Sequence, residues 1–265
     1  MLVIIRGAGD IASGVALRLF RAGMRIIMTE TAQPTAIRRT VCFSEAVRLG
    51  RASVEGVSAV LASGAEEAAE ISGSGRIAVV VDESGQCIGA LRPDAVVDAI
   101  LAKRNCGLRI TDAPVVIAAG PGFTAGVDCH AVVETKRGHT LGRVITEGSA
   151  LPNTGVPGVI GGYGAERVLR APVNGVFRPL RSIGALVSAG ETVAEVNGEP
   201  VVTAIGGVLR GILPEGIEVT VGMKSGDVDP RGCIGNCFTV SDKALAVGGG
   251  VLEALLMLTD CMRRL

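Results

Sequence analysis

Apolar positions along the chain follow two periods, and the switches between them predict the elements. Leu2-Val-Ile-Ile5 is a continuous apolar run closed by Gly7-Ala-Gly9. Ile11, Ala12, Val15, Ala16 and Leu19 then recur at helical spacing, and Gly23 follows as a stop. Arg25-Ile-Ile-Met-Thr-Glu30 is the next strand-like run, so residues 1–30 read as strand, glycine turn, helix and strand. The alternation continues. Ala65 to Ile71 reads as a helix and Ile77 to Val81 as a strand. Pro93 to Lys103 reads as a helix with Pro at its start and Val96, Val97, Ile100 and Leu101 apolar, and Val115 to Ala119 as a buried strand. Val132 to Glu134 and Arg143 to Thr146 extend the sheet. Helices between continuous apolar strands predict a parallel sheet covered on both faces.

From Gly148 to Gly164 the pattern collapses into Gly, Pro, Asn and Thr, the signature of a long loop or a domain boundary. The segment beyond it repeats. Gly175-Val-Phe-Arg178 is echoed 32 residues on by Gly207-Val-Leu-Arg210, and the same offset pairs Gly184 with Gly216, Val187 with Val219 and Gly190 with Gly222. Two β-rich halves with turn glycines at matching places predict a pseudo-symmetric small barrel or sandwich. The V-x-x-G pattern before a short strand resembles biotinyl/lipoyl-type domains. Their carrier lysine belongs on the hairpin between the halves, here Asn197-Gly-Glu-Pro200, which has none, and Lys224 lies beyond the second half. A swinging-arm carrier is therefore not expected. Ser241 caps a tail helix over Ala244 to Leu258, in which Gly248-Gly-Gly250 predicts close packing on another backbone.

The expected fold is α/β: a Rossmann-like parallel-sheet domain over 1–163, a small β-rich pseudo-symmetric (barrel-sandwich-like) domain over 164–240, and a C-terminal helix over 241–265 that packs back on the first domain.

Composition narrows the function classes. Of 265 residues 48% are hydrophobic and 20% charged, which excludes a disordered chain. Lys+Arg and Asp+Glu balance at 26 each, and one Tyr, five Phe and no Trp leave no stacking platform, so nucleic acid is not an expected partner. No apolar run approaches the roughly 20 residues of a membrane span, and Met1 leads straight into a strand-like run; a cytoplasmic protein without membrane contact is the expectation. The seven cysteines (42, 87, 106, 129, 233, 237 and 261) are odd in number and scattered, as expected of reduced thiols. Only Cys233 and Cys237 form a local pair, too little for a zinc site.

Gly7-x-Gly9-x-x-Ala12 fits the dinucleotide fingerprint. The first Gly makes the turn, the second lets backbone N–H groups reach a pyrophosphate, and the small third residue lets helix and strand pack closely. Gly7, Ala8, Gly9, Asp10, Ile11 and Ala12 are thus candidate binding residues for NAD(P) or another nucleotide. Glu30, 21 residues after Gly9, is the carboxylate for ribose hydroxyls. Asp10 would repel a phosphate unless a cation intervenes, and helix capping is its expected role; Arg6, Arg38 and Arg39 are candidates to screen the charge. Val115 to Phe123 is a second strand running into glycines, which adds Gly120 and Gly122 to the binding set. Asp128 and His130 are a candidate acid/base pair on one side of a strand, with ordinary strand-start polar groups as the simpler reading. Asp227 and Asp229 suit Mg2+ or a plain turn. No residue is assigned a catalytic role and no metal site is assigned.

These segments together resemble the accessory proteins of selenium-dependent molybdenum hydroxylases, the YqeB family, which are distantly like xanthine dehydrogenase accessory factors. The resembling stretches are Ile5 to Arg18, Glu30 through Gln33-Pro34 to Arg38-Arg-Thr40, Gly120 to Phe123, Val133 to Thr135, Arg137 to His139, Asn153 to Gly155, Gly226 to Arg231 and Ser241 to Ala244. The resemblance implies a role in maturing or inserting a molybdenum cofactor, with the hydroxylase or its cofactor as partner. Any selenium would belong to that partner, because this chain has no selenocysteine. A nucleotide-binding maturation factor is the leading reading, and self-association is compatible with it. The rivals are an NAD(P)-dependent oxidoreductase using Asp128 and His130, and a scaffold with a vestigial nucleotide site.

Overall fold

The computed structural model describes residues 1–259; Cys261 lies outside them. The chain forms two compact units. The first comprises Met1–Pro34, Cys42–Asn153 and the chain from Val240 on; the second comprises Thr35–Val41 and Thr154–Thr239. The second unit thus begins at Thr154 and takes in a short segment from the first fifth of the chain, where the sequence suggests a boundary after Tyr163.

The first unit is a mixed α/β structure. In chain order it contains β1 (Leu2–Arg6), α1 (Asp10–Arg21), β2 (Arg25–Glu30), α2 (Glu45–Leu49), β3 (Arg51–Val54), β4 (Val57–Ala62), α3 (Ala65–Gly73), β5 (Ile77–Val81) and α4 (Gln86–Leu91). Then follow β6 (Ala95–Asp98), β7 (Val115–Ala119), β8 (Ala131–Val133) and β9 (Val144–Ile145), and the chain returns with α5 (Asp242–Leu258). The nine strands form one sheet in the order β3-β4-β5-β2-β1-β6-β7-β8-β9. Neighbours from β4 to β8 are parallel, and β3 and β9 close the two edges antiparallel.

Parallel strands covered on both faces must be apolar throughout. Val3, Ile4 and Ile5 of β1 are fully buried, as are Val96 and Val97 of β6 and Val116 and Ile117 of β7. Each such side chain contributes about 1.5–3 kcal/mol relative to exposure. Ile4, Val96 and Val116 share one core with Ala68 and Ile71 of α3 and Cys87 and Ile88 of α4. The alternate residues face α1 and α5, and Val133 of β8 meets Gly250 of α5.

The segment Pro93 to Lys103 is not the expected helix. Ala95–Asp98 is strand β6, fully paired between β1 and β7. Apolar residues at 96, 97, 100 and 101 satisfy a helical period, but Val96-Val97 is β-branched and buried on both faces, which favours the pleat. Leu101 and Lys103 take left-handed backbone, with φ of 61° and 63°, so a helix does not propagate through them.

α5 lies on α1 through residues without bulk. A side-chain carbon on Gly14 would sit 2.6 Å from the Ala244 side chain, and one on Gly248 would sit 2.8 Å from the Gly14 carbonyl and from Arg18. The pairing of 14 with 244 and of 18 with 248 means that the two helices run in the same direction. Gly250 is closed off by the Gly142 carbonyl, whereas Gly249 faces open space. The tight contact therefore belongs to Gly248 and Gly250. Ser241 caps α5, its side chain accepting from the Ala244 N–H at 3.2 Å.

The second unit contains β10 (Val168–Arg170), β11 (Gly175–Pro179), β12 (Leu186–Val187), β13 (Thr192–Val196), β14 (Glu199–Val202), β15 (Gly207–Ile212), β16 (Glu218–Val219) and β17 (Lys224–Asp229). They make two four-stranded antiparallel sheets, β10-β17-β15-β12 and β14-β13-β11-β16. The 32-residue offset holds for the strand starts: 175 with 207, 186 with 218 and 192 with 224. It holds for pairing too, since β11 sits between β13 and β16 as β15 sits between β17 and β12. Gly175 and Gly207 share φ values of 154° and 153°. Asn197 and Gly198, at φ 51° and 88°, turn the hairpin from β13 to β14. Lys224 stands at the start of β17 and not on a hairpin tip.

Candidate functional site

The glycine turn joins β1 to α1 at the end of the sheet where the parallel strands terminate. Gly7 takes φ +94°, and its N–H donates to the Thr29 carbonyl at 2.9 Å. A side-chain carbon there would press on the backbone of Ala99 and Ile100 at 3.1 Å, so this glycine is required by the chain itself. The Ala8 N–H donates to Glu30 Oε2 at 2.9 Å. The Ala8 carbonyl accepts from the Ser13 hydroxyl at 3.1 Å and from the Ser44 N–H at 2.9 Å. The Phe43 N–H donates to the same Ser13 hydroxyl at 2.9 Å, so residues 43 and 44 buttress the turn.

Gly9 differs from Gly7. Its φ of −72° is open to any residue, and a side-chain carbon there would meet nothing within 4 Å. Its missing side chain leaves free space at the N-terminus of α1, where backbone N–H groups and the positive end of the helix dipole favour an anion. Gly9 is also the helix N-cap and makes no side-chain cap bond. Asp10 is thus the first helical residue and not the cap expected of it. Ile11 and Ala12 are buried, and Ala12 is fully so, as close packing of helix on strand requires.

Glu30 ends β2, with Oε2 on the Ala8 N–H and Oε1 on the Thr31 N–H at 2.8 Å. The carboxylate is half-buried and fixed in orientation beside the turn. The turn and Glu30 are brought together. Gly120 and Gly122 follow β7, which β6 separates from β1. Side-chain carbons on them would meet the Thr135 hydroxyl and the Arg104 backbone N, each at 2.6 Å, so their bareness serves approach of the chain to itself.

The candidate arginines are otherwise engaged. Arg6 and Asp98 end neighbouring strands and form a buried ion pair at 3.0 Å, with a second Arg6 nitrogen donating to the Cys106 carbonyl at 2.7 Å. Burial pushes the Asp98 carboxyl above its ordinary range, while Arg6 and the Ile100 N–H pull the other way. Arg38 and Arg39 belong to the second unit, where they donate to the carbonyls of Asn236, Thr239 and Ile212.

His130 stands where β8 begins, at the opposite end of the strands from the glycine turn, and Asp128 lies in the loop that leads to it. His130 precedes β8 and its Nδ1 accepts from the Val116 N–H at 3.0 Å, while Asp128 accepts from the Thr124 N–H at 2.7 Å and from Asn105 at 3.2 Å. Both are anchors of a loop. In the second unit Asp227 pairs with Arg167 and Arg210, and Asp229 with Arg231, so arginines hold the carboxylates considered for Mg2+. Among the described residues no group of His, Cys, Asp and Glu is placed to hold a metal ion. Cys233 is exposed and Cys237 buried, and burial raises the Cys237 thiol pKa.

Two charged residues at the same end of the sheet carry no site role in the sequence reading. Glu134, just past β8, is buried and accepts from the N–H groups of Lys136 and Leu151 at 2.7 and 2.8 Å. Lys243, in the first turn of α5, feels the charges of Asp10, Glu134 and Asp242. The return of α5 brings it there, and the Ser241 to Ala244 stretch gives it no site role by itself.

No family model matches the chain. It is 53% identical over 257 residues to a protein of Escherichia coli (strain K12) described as uncharacterized protein YqeB. That match covers 97% of this chain and 48% of the other, so the chain spans about half the length of the curated relative it matches. Among solved structures, an aspartoacylase family protein of Mesorhizobium loti maff303099 aligns over 86% of this chain and 84% of its own at 11% identity and a TM-score of 0.30. A succinylglutamate desuccinylase/aspartoacylase of Rhodobacter sphaeroides aligns over the same shares at 16% identity and a TM-score of 0.27. The ectoine utilization protein EutE of Ruegeria pomeroyi gives 11% identity over 85% of this chain and 52% of its own, at a TM-score of 0.22. Likenesses this weak carry no argument about fold detail or chemistry. Among the described residues no helix is long and apolar enough to cross a membrane.

Proposed function

We propose that the first unit binds a nucleotide at the Gly7–Ala12 turn and that the protein is an accessory factor in the maturation of a molybdenum hydroxylase. The observation that carries the binding half is the open space over Gly9 at the N-terminus of α1, beside the anchored carboxylate of Glu30. The strand order supports it. The run β5-β2-β1-β6-β7-β8, numbered within itself, is 3-2-1-4-5-6, the order of the Rossmann fold. In such sheets ligands bind outside the carboxyl ends of the strands where the order reverses, which here is the crevice between β1 and β6. α5 covers the side of β7 and β8 where later crossover helices would stand. The accessory role rests on the sequence resemblance to the YqeB family. An NAD(P)-dependent oxidoreductase is the weaker reading, because the side chains of its acid/base pair, Asp128 and His130, are engaged in anchoring the loop before β8.

The test is calorimetry of the full chain with NAD, NADP, ATP, GTP and CTP, repeated with Gly9→Val. The variant has room for its side chain, so it folds as the parent does, and at least one ligand loses its binding. Equal binding by the variant would overturn the site. Capture of a molybdenum hydroxylase from a producing cell by the tagged chain tests the accessory role, and a partner set without one rejects it.

A further inference from the structure

Lys243 violates two local rules at once. It places a cation in the first turn of α5, where the helix dipole favours an anion. It is also half-buried and, among the described residues, makes no hydrogen bond or ion pair. The carboxylates near it are turned to other tasks. Asp242 takes both terminal nitrogens of Arg137 at 2.7 and 2.8 Å, and both oxygens of Glu134 hold backbone N–H groups. Burial lowers the Lys243 pKa and Arg137 adds to this, while Asp10, Glu134 and Asp242 act in the opposite sense. A desolvated ammonium with unused donors sits badly in a finished core. Residues that break local rules without a compensating contact mark functional positions.

The packing says where the lysine stands. Because α5 runs beside α1 in the same direction with Ala244 on Gly14, the first turn of α5 stands beside the first turn of α1. Lys243 is therefore at the same end of the sheet as the free space over Gly9, and near enough for Asp10 to act on it. Asp10 alone would repel an anion at that turn, and Lys243 offsets it.

We infer that Lys243 is the phosphate-binding cation of the Gly9 turn, so that the ligand presents a phosphate or pyrophosphate group to the paired N-termini of α1 and α5. The inference rests on the nucleotide reading and adds to it the ligand's anionic group and the residue that receives it. A phosphate supplies the acceptors that the ammonium lacks in the chain, and lysine receives it as a compact point charge.

The experiment is calorimetry of the full chain with ATP, NAD, inorganic pyrophosphate and adenosine, for the parent, Lys243→Ala, Lys243→Arg and Gly9→Val, with circular dichroism to show that each is folded. Lys243→Ala is expected to weaken the phosphate-bearing ligands at least tenfold and to flatten their salt dependence, Lys243→Arg to recover part of the loss, and adenosine to be unaffected. Nucleotide binding that Gly9→Val abolishes and Lys243→Ala leaves intact would overturn the lysine's role and keep the nucleotide reading. Pyrophosphate binding that depends on Lys243, with no nucleotide bound, would keep the lysine and overturn the nucleotide. Binding of none of these ligands overturns both.

Discussion

Arg210 reaches Asp227 at 2.7 Å from the position that Arg178 holds toward Glu195 32 residues earlier, where the pair is 3.2 Å apart. The two pairs differ in setting. Arg210 and Asp227 are 13% and 3% exposed, and Arg167 joins them at 2.8 Å, whereas Arg178 and Glu195 are 59% and 29% exposed. The same pairing thus serves once inside and once at the surface.

The difference in burial sets the first expectation. Asp227→Ala leaves the Arg167 guanidinium buried without its counter-ion and Arg210 with Asp229 alone, 3.6 Å away, which costs about 3–5 kcal/mol. Glu195→Ala exposes its partner to water and costs less than about 1 kcal/mol. Urea unfolding followed on the second unit measures both, and equal midpoints for the two variants would contradict the burial argument.

The glycines of α5 separate by position. Gly248→Ala and Gly250→Ala drive a methyl into the Gly14 and Gly142 carbonyls, and each is expected to cost about 1–3 kcal/mol. Gly249→Ala meets open space and raises helix propensity, so it stabilises by up to about 1 kcal/mol. Thermal unfolding of the three variants gives the order, and a lowered midpoint for Gly249→Ala would reject it.

Asp229 supplies a pH dependence. Burial raises its carboxyl pKa, but bonds from the Arg231 side chain and N–H, with the charges of Arg231 and Arg210, outweigh this and hold it below the ordinary 3.8. A depressed acid contributes stability that is present above its unfolded value and lost as pH falls through the folded one. Between pH 7 and about 5 the parent and Asp229→Asn should therefore keep a constant gap. Below about pH 4 the gap closes. Denaturation midpoints across that range test it, and a gap that widens on acidification would show the sign to be wrong.

Thiol chemistry follows burial as well. The Cys87 thiol is pushed up to about 12 by burial and by the neighbouring Asp82 carboxylate, and Cys129 is pushed up to about 12 by burial and Asp128. Only the thiolate is nucleophilic, so both should resist iodoacetamide at pH 8 in the folded protein, while exposed Cys233 is modified. Peptide mapping after alkylation decides, and early labelling of Cys87 or Cys129 would mean that the core opens.

Where one element carries its own punctuation, the chain is readable. The run to Ile5, the turn of Gly7 to Gly9 and the periodicity from Ile11 specify β1 and α1 because each signal lies within a few residues of the next. β6 is not readable this way, since Val96, Val97, Ile100 and Leu101 fit both periods and only pairing with β1 and β7 selects the strand. The β3–β4 hairpin escapes notice because it is an edge, where Arg51, Ser53 and Glu55 dilute the apolar signal. Glu30 follows from spacing along one βαβ unit, but Lys243 is brought beside α1 only through tertiary packing. Local patterns report the turn, and long-range assembly decides which helix stands beside it.

The interleaving of the second unit has a developmental consequence. Each sheet takes two repeat strands from one half and the third from the other: β11 and β13 with β16, and β15 and β17 with β12. Neither half therefore owns a complete sheet, and a single half released from its sequel would present an unsatisfied edge shaped for its own copy. Two copies clasped in that manner would reproduce the repeat around a true dyad, so the second unit has the form of a fused homodimer whose two arms differ, one holding its ion pair inside and the other at the surface.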